Sequence, residues 1–270
     1  MFNELIFFVT RNFFSIGFHN IRNDKASAKG KETVGDSPST SASSRCNSKY
    51  FGDIVRELDE SKKKIIIDHG FGILLEYDGC YAPKAFAQWL ANQADLNCGD
   101  IVIGGKIIPF SAQSVHLFLG IPIGGEDINQ HYDDSAKSRF RKEIKETSLP
   151  VTKTFGDKLL HGNLFDDGVF WYIMVIALSN FLCPNSSTLP SPKYLGALIV
   201  VKSVKDWDWS KFVFEWLWSS ISTYRKKKRQ TIGGCRYFFA VSLVPFLFSF
   251  PLIPLSCTCI LFTDVFVTCL

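Results

Sequence analysis

From Phe51 onward, apolar positions recur at helical intervals. In FGDIVRELDESKKKIIIDHGFGILLEYDG, Ile54, Val55, Leu58, Ile65 and Ile66 fall near one face, and Gly70 and Gly72 end the pattern. This spacing predicts one helix through the stretch. Pro83 suits the first turn of a second helix, PKAFAQWLANQA, with Phe86, Trp89 and Leu90 on one side. The period then changes. In GDIVIGGKIIPF, two short β-branched runs flank Gly104 and Gly105, which predicts a tight hairpin because two glycines supply the positive φ angles of the turn. SAQSVHLFLG returns to helix, with Ser111 as N-cap, Val115, Leu117, Phe118 and Leu119 as its apolar residues and Gly120 as its stop.

Residues 126–149 are polar and charged and read as a loop plus an exposed helix. DDGVFWYIMVIALSNFLCP then opens on acids, which favour a helix start, and is apolar all round from residue 169 to 178. A helix over 168–182 of this kind is a core helix, too short for the ~20 residues that cross a bilayer. Pro184 forces Cys183 out of helical conformation, so Cys183 is expected to close this helix rather than act as a nucleophile. After an apolar run at 195–201, KDWDWSKFVFEWLWSSISTYRKKKR is the clearest amphipathic helix. Trp209, Val213, Trp216, Leu217, Ile221 and Tyr224 form its stripe, with Asp206 or Asp208 as cap and cations at its C-terminal end. GGCRYFFAVSLV begins another helix.

The segments outside this region differ in kind. Residues 23–50 are rich in Ser, Thr and small polar residues and cannot bury enough apolar surface to order themselves, so 1–50 reads as a disordered tail and linker. Glu4, Arg11 and Asn12 interrupt the apolar start, against a signal peptide, and the glycosylation sequon at Asn185 reads as a chance match. The expected fold class is mainly α with a small β-hairpin: one helical domain over 51–241, between the disordered N-terminal segment and an aberrant apolar tail at 242–270.

Composition sets limits on function. The chain has 270 residues, 46% of them hydrophobic and 21% charged, enough for a sizeable core, and its net charge of +4 does not by itself demand nucleic acid. Its eight cysteines include no CxxC pair, which argues for a reducing compartment and against a zinc knuckle or disulfide framework. His19, His69, His116, His131 and His161 show no metal-ligand spacing, so neither metal nor cofactor is expected. Asp133–Asp134 and Asp166–Asp167 read as caps and turns, and the glycine pairs at 104, 124 and 233 as turn chemistry. Trp207, Trp209, Trp216 and Trp218 could stack on bases, but core packing suits their spacing better. The remaining candidate is the run Arg225, Lys226, Lys227, Lys228 and Arg229, which has the composition of a nuclear-import signal.

Two blocks carry a family resemblance. GDIVIGGKIIPFSAQSVHLFLGIPIGG resembles the strand, turn, strand and xxDVxxLLGLPxxG signature of the plant mobile domain, also called the aminotransferase-like plant mobile domain. FLCPNSSTLPSPKYLGALIVVKSVKDWDWSKFVFEWL followed by IGGCRYFFAV is similar to a transposon-associated branch expanded in grasses. The resemblance spans roughly 51–241. It implies a helical, transposon-derived plant protein with no catalytic residues, and no lysine here looks like a pyridoxal-phosphate site. Such a protein would be a non-enzymatic interaction factor in the nucleus with protein partners, nucleic acid being a weaker candidate. Past Val241 the family pattern stops abruptly. The tail SLVPFLFSFPLIPLSCTCILFTDVFVTCL reads as truncated, unspliced or frame-shifted sequence. The alternative function is a membrane-anchored protein held through 237–263, which lacks charge but contains Pro245, Pro251 and Pro254.

Overall fold

The computed structural model describes residues 47–77, 82, 84–128, 135–185, 187–199, 201–227 and 231–243. The expectations for the N-terminal segment up to residue 46 and for the tail from 244 onward, along with His19, His131, Asp133, Asp134, Ser186, Lys228 and Arg229, lie outside these residues. The fold is mainly α with one small antiparallel sheet.

Helices α1 (Ser48–Glu57) and α2 (Glu60–Asp68) occupy the stretch expected to be a single helix. The break is chemical. Leu58 is extended, and the Asp59 carboxylate accepts the Lys62 N–H at 2.9 Å, starting a new helix. Apolar spacing passes through this junction because Leu58 stays buried on the core side. A 3₁₀ turn, Gly72–Glu76, leads towards α3 (Lys84–Asn92), which buries Phe86 and Leu90.

The hairpin forms as expected between β2 (Asp100–Ile103) and β3 (Lys106–Ile108), with Gly104 and Gly105 at φ 56° and 75°. A third strand that the pattern did not signal, β1 (Ala94–Asp95), pairs Ala94 with Ile101 and Asp95 with Asp100. Strand alternation sorts the faces: Ile101 and Ile108 are buried, whereas Val102 and Ile107 face out. Helix α4 (Ala112–Leu119) follows, capped by Ser111 and ended by Gly120 in the left-handed region.

Helix α5 (Ala136–Glu143) turns Ala136 and Phe140 inward, and α6 (Thr152–His161) buries Phe155 and Leu159. Helix α7 (Asp166–Ala177) is buried from Gly168 to its end and continues as a π-helical segment, Leu178–Leu182. Each fully buried large apolar side chain contributes about 1.5–3 kcal/mol, so this helix is where the core energy concentrates. α7 packs on α2, α6 and α8 (Pro192–Ile199).

After the 3₁₀ segment Val201–Asp206 comes α9 (Trp209–Lys227), capped by the Asp208 carboxylate, which accepts the Lys211 N–H at 2.8 Å. Trp209, Val213, Leu217 and Ile221 are buried along the expected stripe, while Trp216 and Tyr224 are half-buried. α9 packs on α3 and α4, and α10 (Arg236–Val241) packs on the same two helices. Phe71 joins the two halves of the core, tilted on Phe170 of α7 and edge-on to Trp209 of α9.

Candidate functional site

The basic run begins inside α9. Arg225, Lys226 and Lys227 are the last three residues of that helix and are exposed, whereas Lys228 and Arg229 lie outside the described residues. Three cations in the last turn complement the helix dipole, but one or two would suffice. They are not equivalent. The Arg225 guanidinium donates to the Ala94 carbonyl at the start of β1. The neighbouring Asp95 carboxyl is held below its usual range, first by the Asn97 N–H, then by Cys98 and, at longer range, by Arg225. Lys226 and Lys227 project beyond this anchor.

The other sequence candidates are placed by packing. Cys183 follows the π segment at φ −131°, outside the helical region as Pro184 requires, and its N–H donates to Leu178 at 2.9 Å. Burial pushes its thiol well above the usual value, and nearby Cys235 adds to the shift. A thiol held protonated in this way is a poor nucleophile. Beside it, the Tyr194 hydroxyl lies 2.8 Å from Ser179 Oγ and accepts the Ser191 N–H, and Asn180 donates to the Ile176 carbonyl. The Ser179 and Tyr194 hydroxyls thus pair with each other, and Asn180 is held by the backbone of its own helix.

His69 stacks on Phe170 with centroids 4.2 Å apart and holds the Ile65 carbonyl through Nδ1, while His116 Nδ1 holds the Ile121 carbonyl. His161 is exposed at the end of α6, and Asp166 and Asp167 are exposed in the first turn of α7. Among the described residues no three His, Cys, Asp or Glu side chains gather as a metal site. Of the tryptophans, Trp207 and Trp209 are buried, Trp216 donates to the Pro184 carbonyl, and Trp218 stacks on Phe214. Gly104 is in the hairpin turn, Gly124 has φ 80°, and Gly233 donates its N–H to Ser220.

Sequence reasoning did not anticipate the contact between Gly125 and Asp206. Glu126 and Trp207 form a parallel bridge, with the Glu126 N–H donating to Asp206 at 2.7 Å and the Asp208 N–H donating to Glu126 at 2.9 Å. A Cβ on Gly125 would lie 1.9 Å from the Asp206 carbonyl oxygen. The positive φ of Gly125 has no local signal beyond a common Gly–Gly pair, and its partner is far along the chain.

Residues 44–240 match the family model of a domain of unknown function, DUF8566. The chain belongs to that family. The DUF8566 match takes in every element from α1 to α9 and most of α10. No curated protein and no solved structure matches the chain.

The described part of the uncharged stretch at 237–263 is packed in this domain. Phe238 and Phe239 are fully buried, with Phe238 4.8 Å from Phe110 between centroids, and Tyr237 lies edge-on to Tyr77. No described helix is long and apolar enough to cross a membrane.

Proposed function

We propose that this DUF8566 protein is a non-enzymatic interaction factor of plant-mobile-domain type, derived from a mobile element, that acts in the nucleus through protein partners. The observation that carries the reading is the end of α9, where Lys226 and Lys227 are exposed beyond an anchored Arg225. A carrier that recognises a short cationic peptide needs accessible lysines, and Lys226 and Lys227 are exposed at the end of the helix. The non-enzymatic part draws on the side chains capable of chemistry. Cys183 is sealed in the core, His69 and His116 are held by backbone carbonyls, and the Asp166–Asp167 pair sits at a helix start.

The test is localisation of the full-length chain fused to a fluorescent reporter in plant cells. The wild-type fusion enters the nucleus, and changing Lys226, Lys227, Lys228 and Arg229 to Ala leaves it in the cytosol. A fusion indifferent to those changes removes the import signal. A fusion that resists alkaline extraction from membranes replaces this reading with anchoring through the apolar tail.

A further inference from the structure

Helix α5 carries a second concentration of positive charge, separate from the run at 225–229. Between Ser135 and Lys145 there are five cations (Lys137, Arg139, Arg141, Lys142 and Lys145) and one acid (Glu143). Their net charge, 5 − 1 = +4, equals that of the whole chain, which is also +4. At about 100° per residue, Ala136, Phe140 and Ile144 mark the inward side, and all three are buried. Arg141, Lys142 and Lys145 fall across the opposite arc, and Lys137 stands at the N-terminal end of the helix nearer the inward side; Arg141 is half-buried and the other three are exposed. The acid that follows them, Glu146, is already paired with Lys158.

Two of these cations stand where local stability opposes them. Lys137 lies in the first turn, at the positive end of the helix dipole, and that turn has no acid to offset it. Lys145 occupies the residue just past the helix, where the chain enters the left-handed region and glycine is the usual occupant. It is the one described non-glycine residue with positive φ, at 57°. Its N–H returns to the Lys142 carbonyl and that of Glu146 to Arg141, the paired bonds of a Schellman ending. A helix arranged for stability alone would carry an acid in place of Lys137 and a glycine in place of Lys145. Where local rules are broken without structural gain, function is the expected reason.

We propose that the outer face of α5, closed by Lys145, docks on the phosphate backbone of double-stranded nucleic acid. The composition of the arc selects this partner. A membrane-surface helix sets bulky apolar residues beside its cations, and here the apolar residues of α5 face the core. A protein interface centres on aromatic or aliphatic anchors, and the arc has none. Single-strand binders add aromatic platforms for bases, whereas Phe140, the aromatic of α5, is buried against Phe155 and Trp171. Lys137, Arg141 and Lys145 recur every four residues, about 6 Å apart along the axis, and a duplex that presents a phosphate every ~3.4 Å per strand offers each of them an anion within side-chain reach. The inference does not rest on nuclear import, because it concerns other residues and is read with purified protein.

The experiment measures binding of the full-length chain to a short random-sequence DNA duplex by fluorescence anisotropy across a salt series. It is done in a background with Lys226, Lys227, Lys228 and Arg229 changed to Ala, so that the other basic run does not contribute. Four neutralised phosphates give a slope of log affinity against log salt of about −3.6, and a non-specific Kd of about 10⁻⁴–10⁻⁶ M at physiological salt. Changing Lys137, Arg141 and Lys142 to Glu is expected to weaken binding at least tenfold. Lys145→Gly keeps the backbone and removes one cation: its Tm should rise while the salt slope falls by about one. Duplex affinity unchanged in both variants overturns the proposal. So does stronger binding to phosphatidylserine vesicles or to single-stranded DNA that the same variants abolish. A lower Tm for Lys145→Gly with an unchanged slope would assign Lys145 a purely structural role and also overturn it.

Discussion

Arg225 at the end of α9 donates through its guanidinium to the carbonyl of Ala94, which opens β1. Although the residue is exposed, this contact fixes the first cation of the basic run to the sheet. The run is therefore divided between one anchoring residue and the lysines that follow it.

That division predicts opposite phenotypes. Arg225→Ala should lower stability by about 1 kcal/mol, the net worth of one hydrogen bond, and leave the nuclear share of the reporter nearly unchanged. Lys226→Ala with Lys227→Ala should leave urea denaturation unchanged and reduce nuclear entry. If Arg225→Ala blocks import as strongly as the lysine pair does, all the cations are read alike.

The Gly125 contact gives a test with an internal control. Gly125→Ala places a methyl against the Asp206 carbonyl and also demands a left-handed conformation, at φ 89°. Backbone strain of about 1–2 kcal/mol and two endangered hydrogen bonds at about 1 kcal/mol each give a loss of about 3–4 kcal/mol. Gly124→Ala has φ 80° but open space around the added methyl, so it should cost the strain alone. Equal midpoints for the two variants in urea would show that the close approach is relieved at no cost.

These tests also mark what the sequence could convey. The hairpin and the ends of α4 were legible because their signals are local: two adjacent glycines in one case, Ser111 and Gly120 in the other. The buried character of α7 was legible because no polar residue interrupts it from Val169 to Leu178. The break before α2 was hidden because Leu58 continues the apolar stripe while Asp59 interrupts the backbone. β1 is two residues long, too short to show a period. At the candidate sites, Arg225 is 131 residues from Ala94, and a lysine at the end of α5 gives no sign that it takes the position of a glycine.

The core position of α7 predicts a contrast between two isoleucines. Ile176 is fully buried and Ile67 is 56% exposed. Ile176→Asp would bury an unpaired carboxylate at a cost of several kcal/mol, a large fraction of the ~5–15 kcal/mol that holds a domain folded. Ile67→Asp should stay within ~0.5 kcal/mol. Thermal melts of both variants check this, and an Ile176→Asp protein that melts like wild type would remove α7 from the centre of the core.

Alkaline pH should destabilise the fold in a defined window. Burial and, secondarily, Asp157 push the Tyr50 hydroxyl up to about 12, and burial also raises Tyr172 and Tyr194. In the unfolded chain these phenols ionise near pH ~10. A group whose pKa is raised by folding contributes stability that is present below its unfolded value and is lost as pH rises through its folded value. The phenols therefore add a loss of stability that sets in at pH ~10 and continues to pH ~12, on top of the loss that the buried Cys183 thiol, also raised by folding, begins near pH ~8.5. Tyr50→Phe should make that fall shallower. Its hydroxyl donates to the Lys153 carbonyl at 3.3 Å, so the variant also starts from a slightly lower Tm at neutral pH. An identical slope in both proteins would remove Tyr50 from the alkaline transition.

Cys183 and Cys98 should differ in reactivity by location alone. Cys183 has no exposed surface, follows a core helix and holds its proton tightly, whereas Cys98 is in the exposed turn between β1 and β2. Attack by a thiol reagent requires the thiolate and a path to it. Folded protein treated with iodoacetamide and mapped by peptide mass should be modified at Cys98 and spared at Cys183 until denaturant is added. Cys183→Ala removes a small buried group and should cost about 1 kcal/mol while leaving nuclear entry and duplex binding at wild-type levels. Rapid modification of Cys183 in the folded protein would mean that the end of α7 opens readily. A folded Cys183→Ala protein that lost a measurable hydrolytic activity would overturn the non-enzymatic reading, because the thiol would then have a chemical task that its burial argues against.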